Sequence, residues 1–278
     1  MTIRIVADST CDIPENLART HGIAIIPTCI NIGSNTYLDG IDMTREQFYQ
    51  SLPDFPSVIR TSSPGPEAFV RTYEHLADEG ADEIISIHPP ARMSNLFNVA
   101  QLAASSVTRV KVIPLDLGQV SLGTGLLVLK GAIAAKKGDR LEAIIQMLLD
   151  CTARTHTYAA LETLEYLKRS GRIPSLIASI GSLLSLKPVV SLTKGVISIG
   201  KARTSRSATR YIIRQIKSLG ALEQVAFMHT HARKRADEFM LSLNNMVPIG
   251  KDTLLVEATP ILGAHVGLGV VGMVAITK

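Results

Sequence analysis

Short apolar runs alternate with amphipathic stretches through the first half of the chain, and this alternation constrains the fold more than any other feature. The strand-like runs are IRIVADS, GIAIIPTCINI, EIISIH and VKVIPLD. Apolar residues at helical spacing follow them, as in the segment that starts at Pro66 and carries Phe69, Tyr73 and Leu76 before Gly80. Such βα units build largely parallel sheets, because the crossover helix returns the chain to the same edge. We therefore predict an α/β fold.

The second half has a different pattern. A helix bearing Leu161, Leu164 and Leu167 is predicted to end at Gly171, and strand-like segments follow it: KPVVSL, GVISIG, VAFMHT and TLLVEAT. This order indicates an α+β arrangement. We predict an N-terminal α/β domain over residues 1–155, which ends with a helix capped by Asp139, and a C-terminal α+β domain over residues 156–278.

Composition excludes several classes of protein. The net charge is +5, but the chain has no Trp and only 4% aromatic residues, so few side chains can stack on bases and nucleic acid is not an expected partner. Cys11, Cys29 and Cys151 form no CxxC pair, which excludes a zinc cluster or disulfide framework and favours a reducing cytoplasm. The start, MTIRIVADST, lacks the regions of a secretion signal. We expect a cytoplasmic protein.

Two segments resemble motifs that they do not complete. Residues 258–277 carry no formally charged side chain, but Pro260 and several glycines argue against a membrane helix, so we predict buried strands there. GLGVVG at 267–272 has the letters of a dinucleotide fingerprint, yet only six residues follow it and no βαβ unit can form. No GxxxxGK[ST] or GxSxG motif occurs in the chain.

Small hydroxyl residues stand where helices should begin. Thr61, Ser62 and Ser63 precede the helix at Pro66, and Ser94 precedes the helix through Phe97. Both places are expected at the carboxyl edge of an open sheet, where helix N-termini offer free N–H groups to a carboxylate or phosphate. The same residues are also ordinary helix caps, and the sequence leaves both interpretations open.

Other polar residues also have a structural and a functional interpretation. Asp8 and Asp116 end two strands, and we interpret them as holding loops because no second carboxylate stands at metal spacing. His229 and His231 lack an identifiable third ligand, so we interpret them as surface residues and expect no metal. His265 lies in a Gly-rich apolar segment, where it is either a satisfied core histidine or a ligand for an anion.

Five cations recur at helical spacing: Arg203, Arg206, Arg210, Arg214 and Lys217. A solvated helix face is the ordinary explanation. The alternative is a docking surface for an acidic protein or an anionic membrane, which would make the chain an adaptor and would allow a transient contact with a membrane surface.

Seven segments, in order along nearly the whole chain, resemble the DegV family of bacterial fatty-acid-binding proteins. They are VADSTCDIP, TCINIGSNTYLDG, TSSPGPEAF, VIPLDLGQVSLGTGLLV, LEYLKRSGRI, LLSLKPVV and AHVGLGVVG. The corresponding family patterns are the opening DS[ST]xD stretch, a hairpin with Tyr-x-Asp, TSxPS, DSxxxSxGxG, LxxLxxGGRI, LxIKP and the terminal HxGPGxxG.

The resemblance implies two domains that enclose one long-chain fatty acid in a tunnel between them. By position, Thr61 and Ser94 would bind the carboxylate, Ser62 would support them, and His265 would lie beside the same group. Arg172 matches a position implicated in meeting a separate ATP-dependent kinase, which phosphorylates the bound acid. The resemblance implies no cofactor and no catalytic residue in this chain.

The chain departs from the family pattern beside Ser94. HPPARMSNLFNVA stands where the family has SSxLSGTYxSA, so Asn95 and Leu96 replace Gly and Thr. Arg92 either adds positive charge for the anion or points to solvent. The alternative function is an enzyme at the same site, either a hydrolase using Ser94 with His265 or a phosphotransferase using Asp8 or Asp116.

Overall fold

The structure is a computed structural model that describes residues 1–55, 59–172 and 186–278. Its described strands form a four-stranded, a three-stranded and a six-stranded sheet. Helices pack against the two larger sheets, so the chain is an α/β protein with a parallel sheet and a second, mixed sheet.

The four-stranded sheet is parallel throughout, as the βα alternation predicts. Its order is β2-β1-β6-β7, and its strands are β1 (Ile3–Asp8), β2 (Ile23–Ile26), β6 (Glu83–His88) and β7 (Lys111–Asp116). The helices that pack on it or lie near it are α1 (Glu15–His21), α3 (Pro66–Asp78), α4 (Leu96–Ser106), α5 (Leu122–Lys137) and α6 (Leu141–Ala153). β6 lies inside the sheet and is buried at every position. Each of its side chains is therefore either apolar or bonded to a polar partner.

A small antiparallel sheet branches from the parallel one. It contains β3 (Cys29–Ile32), β4 (Asn35–Leu38) and β5 (Arg60–Ser62), and α2 (Arg45–Ser51) follows β4. The apolar run GIAIIPTCINI is therefore two strands rather than one. Its break falls at Pro27, which has no N–H group to continue a ladder, and Thr28 follows before the new strand begins.

The six-stranded sheet has the order β10-β9-β8-β13-β11-β12. Its strands are β8 (Thr155–Ala160), β9 (Lys187–Thr193), β10 (Val196–Ala202), β11 (Leu222–His229), β12 (Leu255–Glu257) and β13 (Val271–Thr277). The remaining described helices are α7 (Glu165–Ser170), α8 (Ser205–Ser218), α9 (Arg233–Ser242) and α10 (Pro260–Val266). Val189 of β9 packs in the same cluster as Ile212 of α8, whereas Val190 packs in a different cluster with Leu161, so α8 covers one face of the sheet only.

The largest hydrophobic cluster joins the two larger sheets through α5. Leu126 and Leu127 of this helix share the cluster with Ile5 of the parallel sheet and with Val274 of the six-stranded sheet. Gly125 allows α5 to lie against the Cys11 backbone, because a Cβ atom at Gly125 would lie 2.3 Å from the Cys11 carbonyl oxygen. The division into domains at residue 155 stays a prediction.

Three local predictions were wrong. Residues 258–277 contain the helix α10 before β13, where we expected strands only. Leu161 directly follows the end of β8 at Ala160, and the helix that was predicted to include it starts only at Glu165. The N-cap of α6 is Arg140 rather than Asp139, with no side-chain cap. The beginning of LLSLKPVV and Ile173 of the SGRI turn lie outside the described residues.

Candidate functional site

A cavity of about 620 Å³ lies between the parallel sheet and the six-stranded sheet. Its volume falls in the range of roughly 300–1,000 Å³ that small-molecule sites occupy. Residues from both halves of the chain line it, including all four predicted ligand-binding residues and Arg172: Thr61, Ser62, Ser94, Arg172 and His265. The structure thus brings these five residues to one cavity, and their roles in binding stay a prediction.

The polar end of the cavity is built around His265. Its Nε2 atom lies 2.9 Å from the Thr61 hydroxyl, although 204 positions separate the two residues. Burial, and then the nearby Arg172 cation, lower the pKa of His265 from 6.5 to about 4, so the imidazole is neutral at pH 7. Its buried Nδ1 atom has no hydrogen-bond partner among the described residues.

The two serines line the same cavity from separate elements. Ser94 stands two residues before α4, and its hydroxyl accepts a hydrogen bond from the Leu96 N–H at 3.3 Å. Ser62 follows Thr61 on β5, and its hydroxyl accepts a hydrogen bond from the Asn31 amide at 3.1 Å. Each serine hydroxyl therefore keeps its own proton to donate to an anion.

Arg172 gives the polar end a positive charge. It follows Gly171, whose left-handed conformation (φ 65°) ends α7. Its side chain is exposed, yet it lines the cavity and is close enough to His265 to lower that residue's pKa. Our prediction from the sequence gave Arg172 a role toward a partner protein only, and the structure places it beside the candidate carboxylate site as well.

An apolar wall forms another part of the cavity lining. Val190 and Leu192 of β9 line it together with Ile197 of β10 and Leu161. Residues two apart on a strand share a face, so the spacing of Val190 and Leu192 signals one apolar face toward the cavity. We did not predict these residues from the sequence, because KPVVSL alone does not show which face meets a ligand.

The expected position of the hydroxyl groups was correct for Ser94 and wrong for Thr61. Ser94 follows β6 and lies at the carboxyl edge of the parallel sheet, as predicted. Thr61 belongs to β5 of the small antiparallel sheet, where it pairs with Ile30. It reaches the site because β5 leads directly into α3, which begins at Pro66.

The residues near Ser94 that differ from the family pattern lie in two different places. Asn95 and Leu96 both line the cavity. Arg92 is exposed, is not among the cavity-lining residues, and places its guanidinium near Gly195 in the β9–β10 turn. Of the two alternatives for Arg92, the structure favours a position away from the anion.

Asp8 and Asp116 hold loops, as their interpretation from the sequence stated. Buried Asp8 accepts hydrogen bonds from the Thr10 N–H at 3.0 Å and from His88 Nδ1 at 2.7 Å. Asp116 accepts from the backbone N–H groups of Ala91 at 3.0 Å and Gly118 at 2.9 Å. Neither carboxylate lines the cavity.

The surface interpretation of His229 was wrong. His229 is buried at the end of β11, lines the cavity, and has a pKa lowered by burial. His231 is exposed, because a positive φ of 48° takes the chain out of the strand. Both rings stand near Glu257, at 3.8 and 3.7 Å, but no group of three metal-ligating side chains occurs among the described residues.

The geometry gives little support to the hydrolase alternative. A serine nucleophile needs its base within hydrogen-bond reach. In the described structure His265 is bonded to Thr61, and Ser94 makes no hydrogen bond to it. The arrangement of hydroxyl groups, a neutral imidazole and a guanidinium can instead hold an anion without reacting with it.

The fold and cavity define an α/β protein with a ligand-sized space that is lined both by a polar cluster around His265 and by apolar side chains. The family model for "uncharacterised protein, DegV family" matches residues 2–278, and the chain belongs to this family. It is 32% identical over 279 residues to the DegV domain-containing protein SCO2569 of Streptomyces coelicolor, and the match covers 99% of each chain.

Two solved structures share the fold over the full length of both chains. The fatty-acid-binding DegV family protein from Thermus thermophilus matches with a TM-score of 0.90 and 30% identity. DegV, a fatty acid binding protein from Bacillus subtilis, matches with the same TM-score and identity. The family and fold class expected from the sequence motifs are therefore confirmed. Among the described residues, no helix has the length and apolar character needed to cross a membrane.

Proposed function

We propose that this chain binds one long-chain fatty acid in the cavity, with the carboxylate at the polar end. The main support for the proposal is that the Thr61–His265 pair and the apolar wall line the same cavity of about 620 Å³. The relatives from Thermus thermophilus and Bacillus subtilis, which are described as fatty-acid-binding proteins, support the same ligand class.

The polar end of the cavity has hydrogen-bond donors that are suited to a carboxylate. Burying an ionised carboxyl group is costly unless hydrogen bonds and charge compensate for it. In the proposed complex, Thr61 and Ser94 donate their hydroxyl protons, Ser62 supports them, and Arg172 supplies a positive charge. When the His265 Nε2–H donates to the Thr61 hydroxyl, the Thr61 proton is free for the carboxylate, and the nearby anion raises the pKa of the ring.

The tail accounts for most of the affinity. Burial of one methylene contributes about 0.8 kcal/mol, so a chain of some fourteen contributes on the order of 11 kcal/mol before ordering costs. Val190, Leu192 and Ile197 offer the apolar surface that this burial needs. We infer that affinity depends on chain length far more than on any single hydroxyl group.

We also propose that the bound acid is presented to a separate kinase. In that step the carboxylate oxygen attacks the γ-phosphorus of ATP, forming an acyl phosphate and releasing ADP. The support is that Arg172 is both exposed and at the polar end of the cavity, so a partner that contacts it would stand beside the carboxylate. This chain would then act as a carrier.

Native mass spectrometry of the protein expressed in bacteria tests the ligand. We expect a co-purified acid of long chain, identified by extraction and chromatography, and tight rebinding of palmitate after delipidation. Ser94→Ala should weaken rebinding, whereas Ser105→Ala should not, because Ser105 is exposed on α4 and bonds the Leu102 carbonyl.

Two results would overturn the proposal. One is a delipidated, folded protein that binds no fatty acid of any length. The other is turnover of acyl esters or ATP by the isolated chain that is lost in Ser94→Ala or Asp116→Asn, which would establish the enzymatic alternative.

A further inference from the structure

The segment leading into α10 is held by side chains from a distant part of the sequence. The Thr259 N–H donates to Asp12 Oδ1 at 2.7 Å. The Tyr49 hydroxyl donates to the Ala258 carbonyl at 2.9 Å. One residue earlier, the Arg45 guanidinium donates to the Glu257 carbonyl. Three consecutive backbone positions are thus each bonded by a different side chain.

Tyr49 also contacts the side of α10. Its ring is 1% exposed and lies against Gly263, one turn into α10. A Cβ atom at Gly263 would lie 2.6 Å from the ring, so only glycine allows the helix this close. The tyrosine therefore contacts α10 at its start and along its flank.

Asp12 is itself held in place. It is completely buried, has a left-handed backbone (φ 60°), and accepts a hydrogen bond from the Ser121 hydroxyl at the start of α5. Burial raises its pKa, while the Arg45 cation and the hydrogen bonds from Ser121 and Thr259 oppose that rise. The carboxylate is therefore a fixed anchor between α5 and α10.

These contacts matter because of what α10 carries. Ile261, Leu262, His265 and Val266 of this helix all line the cavity. With only seven residues, α10 has few internal hydrogen bonds, and helices this short depend on tertiary contacts for their stability. The position of His265 is therefore set by whatever holds the helix start.

We propose that Asp12, Arg45 and Tyr49 are positioning residues that set the placement of His265 against Thr61, and so set the affinity for the head group of the ligand. The head-group part rests on the proposed fatty-acid function. The His265 placement does not, because it is a property of the ligand-free protein.

Tyr49→Phe tests the proposal with the least disturbance, because it removes the hydroxyl and keeps the ring against Gly263. Tyr73→Phe is the matched control: Tyr73 is also fully buried, and its hydroxyl bonds Ser86, away from α10. In the ligand-free proteins, NMR of the histidine ring protons should show a shifted His265 signal in Tyr49→Phe and an unchanged one in Tyr73→Phe. The His265 signal is assigned with His265→Gln.

Binding supplies the second readout. We expect Tyr49→Phe to weaken palmitate binding about tenfold, because displacement of His265 from Thr61 costs roughly one hydrogen bond to the carboxylate. Binding of hexadecanol, which has the same tail and no carboxylate, should change much less. A general loss of packing would weaken both ligands together.

The proposal is overturned if Tyr49→Phe and Tyr73→Phe give the same His265 signal, or if palmitate and hexadecanol weaken equally in Tyr49→Phe. Asp12→Asn gives an independent check, since it keeps the shape of the side chain and should also move the His265 signal. If the wild-type protein binds no fatty acid, the NMR comparison still decides the positioning role, so the two proposals fail separately.

Discussion

Removal of the His265 imidazole should change how the stability of the ligand-free protein depends on pH. Burial and Arg172 lower the pKa of His265 from 6.5 to about 4, so at pH 5 the ring is neutral in the folded chain and protonated in the unfolded chain. Because the unfolded state binds more protons in this range, the free energy of unfolding falls as the pH falls.

The magnitude follows from the size of the shift. One pKa unit corresponds to about 1.4 kcal/mol, so between pH 7 and pH 5 His265 alone should lower the free energy of unfolding by about 2 kcal/mol. The full contribution, about 3 kcal/mol, would be lost only below pH 4. A bound carboxylate should reduce this dependence, because it raises the pKa of the ring.

The assay compares the delipidated wild type with His265→Gln by urea unfolding at pH 7, 6 and 5. Other shifted groups are present in both proteins and largely cancel in the difference, including Asp39, whose pKa burial raises to about 6. We expect the wild type to lose about 2 kcal/mol more than the variant on going from pH 7 to pH 5. Parallel pH profiles for the two proteins would show that the pKa of His265 is not lowered in the folded chain.

Three further predictions follow from the site. Thr61→Val should weaken palmitate binding several-fold in calorimetry, whereas Thr72→Val, whose hydroxyl bonds Ala68 on α3, should not. Ile197→Phe should shorten the longest acid that binds, measured over a chain-length series, because Ile197 lines the cavity; an unchanged length limit would place the tail elsewhere. Reversing the charges of Arg206 and Arg210 should leave the co-purified lipid unchanged, since α8 packs on the sheet face away from Val190, and altered lipid would contradict that separation.

Much of the parallel sheet could be predicted because its inner strands, β1 and β6, are buried on both faces. β1 and β6 are short, apolar and bounded by clear helical segments, so their pattern has one interpretation. The helix α10 could not be predicted in this way. It lies in a Gly-rich, apolar part of the sequence, and side chains distant in sequence bond the residues that lead into it.

The candidate site was predicted from motifs and not from geometry. Ser94 and Thr61 were recognised as hydroxyl groups before helices, but no sequence pattern shows that Thr61 lies 2.9 Å from His265. The sequence assigned His229 and His231 to the surface together because no third metal ligand was identifiable, but His229 is buried at the end of β11 and only His231, at a positive φ, is exposed. Long-range pairing of this kind is fixed by tertiary packing, which one sequence does not display.

A crystal structure of the protein purified with its bound lipid tests the proposed ligand and its orientation together. We expect electron density for one extended acyl chain against Val190 and Leu192, with its carboxylate within hydrogen-bond distance of Thr61 and His265. Density with the carboxylate at the opposite end of the cavity, or a cavity filled only by water in protein shown to carry fatty acid, would contradict this expectation.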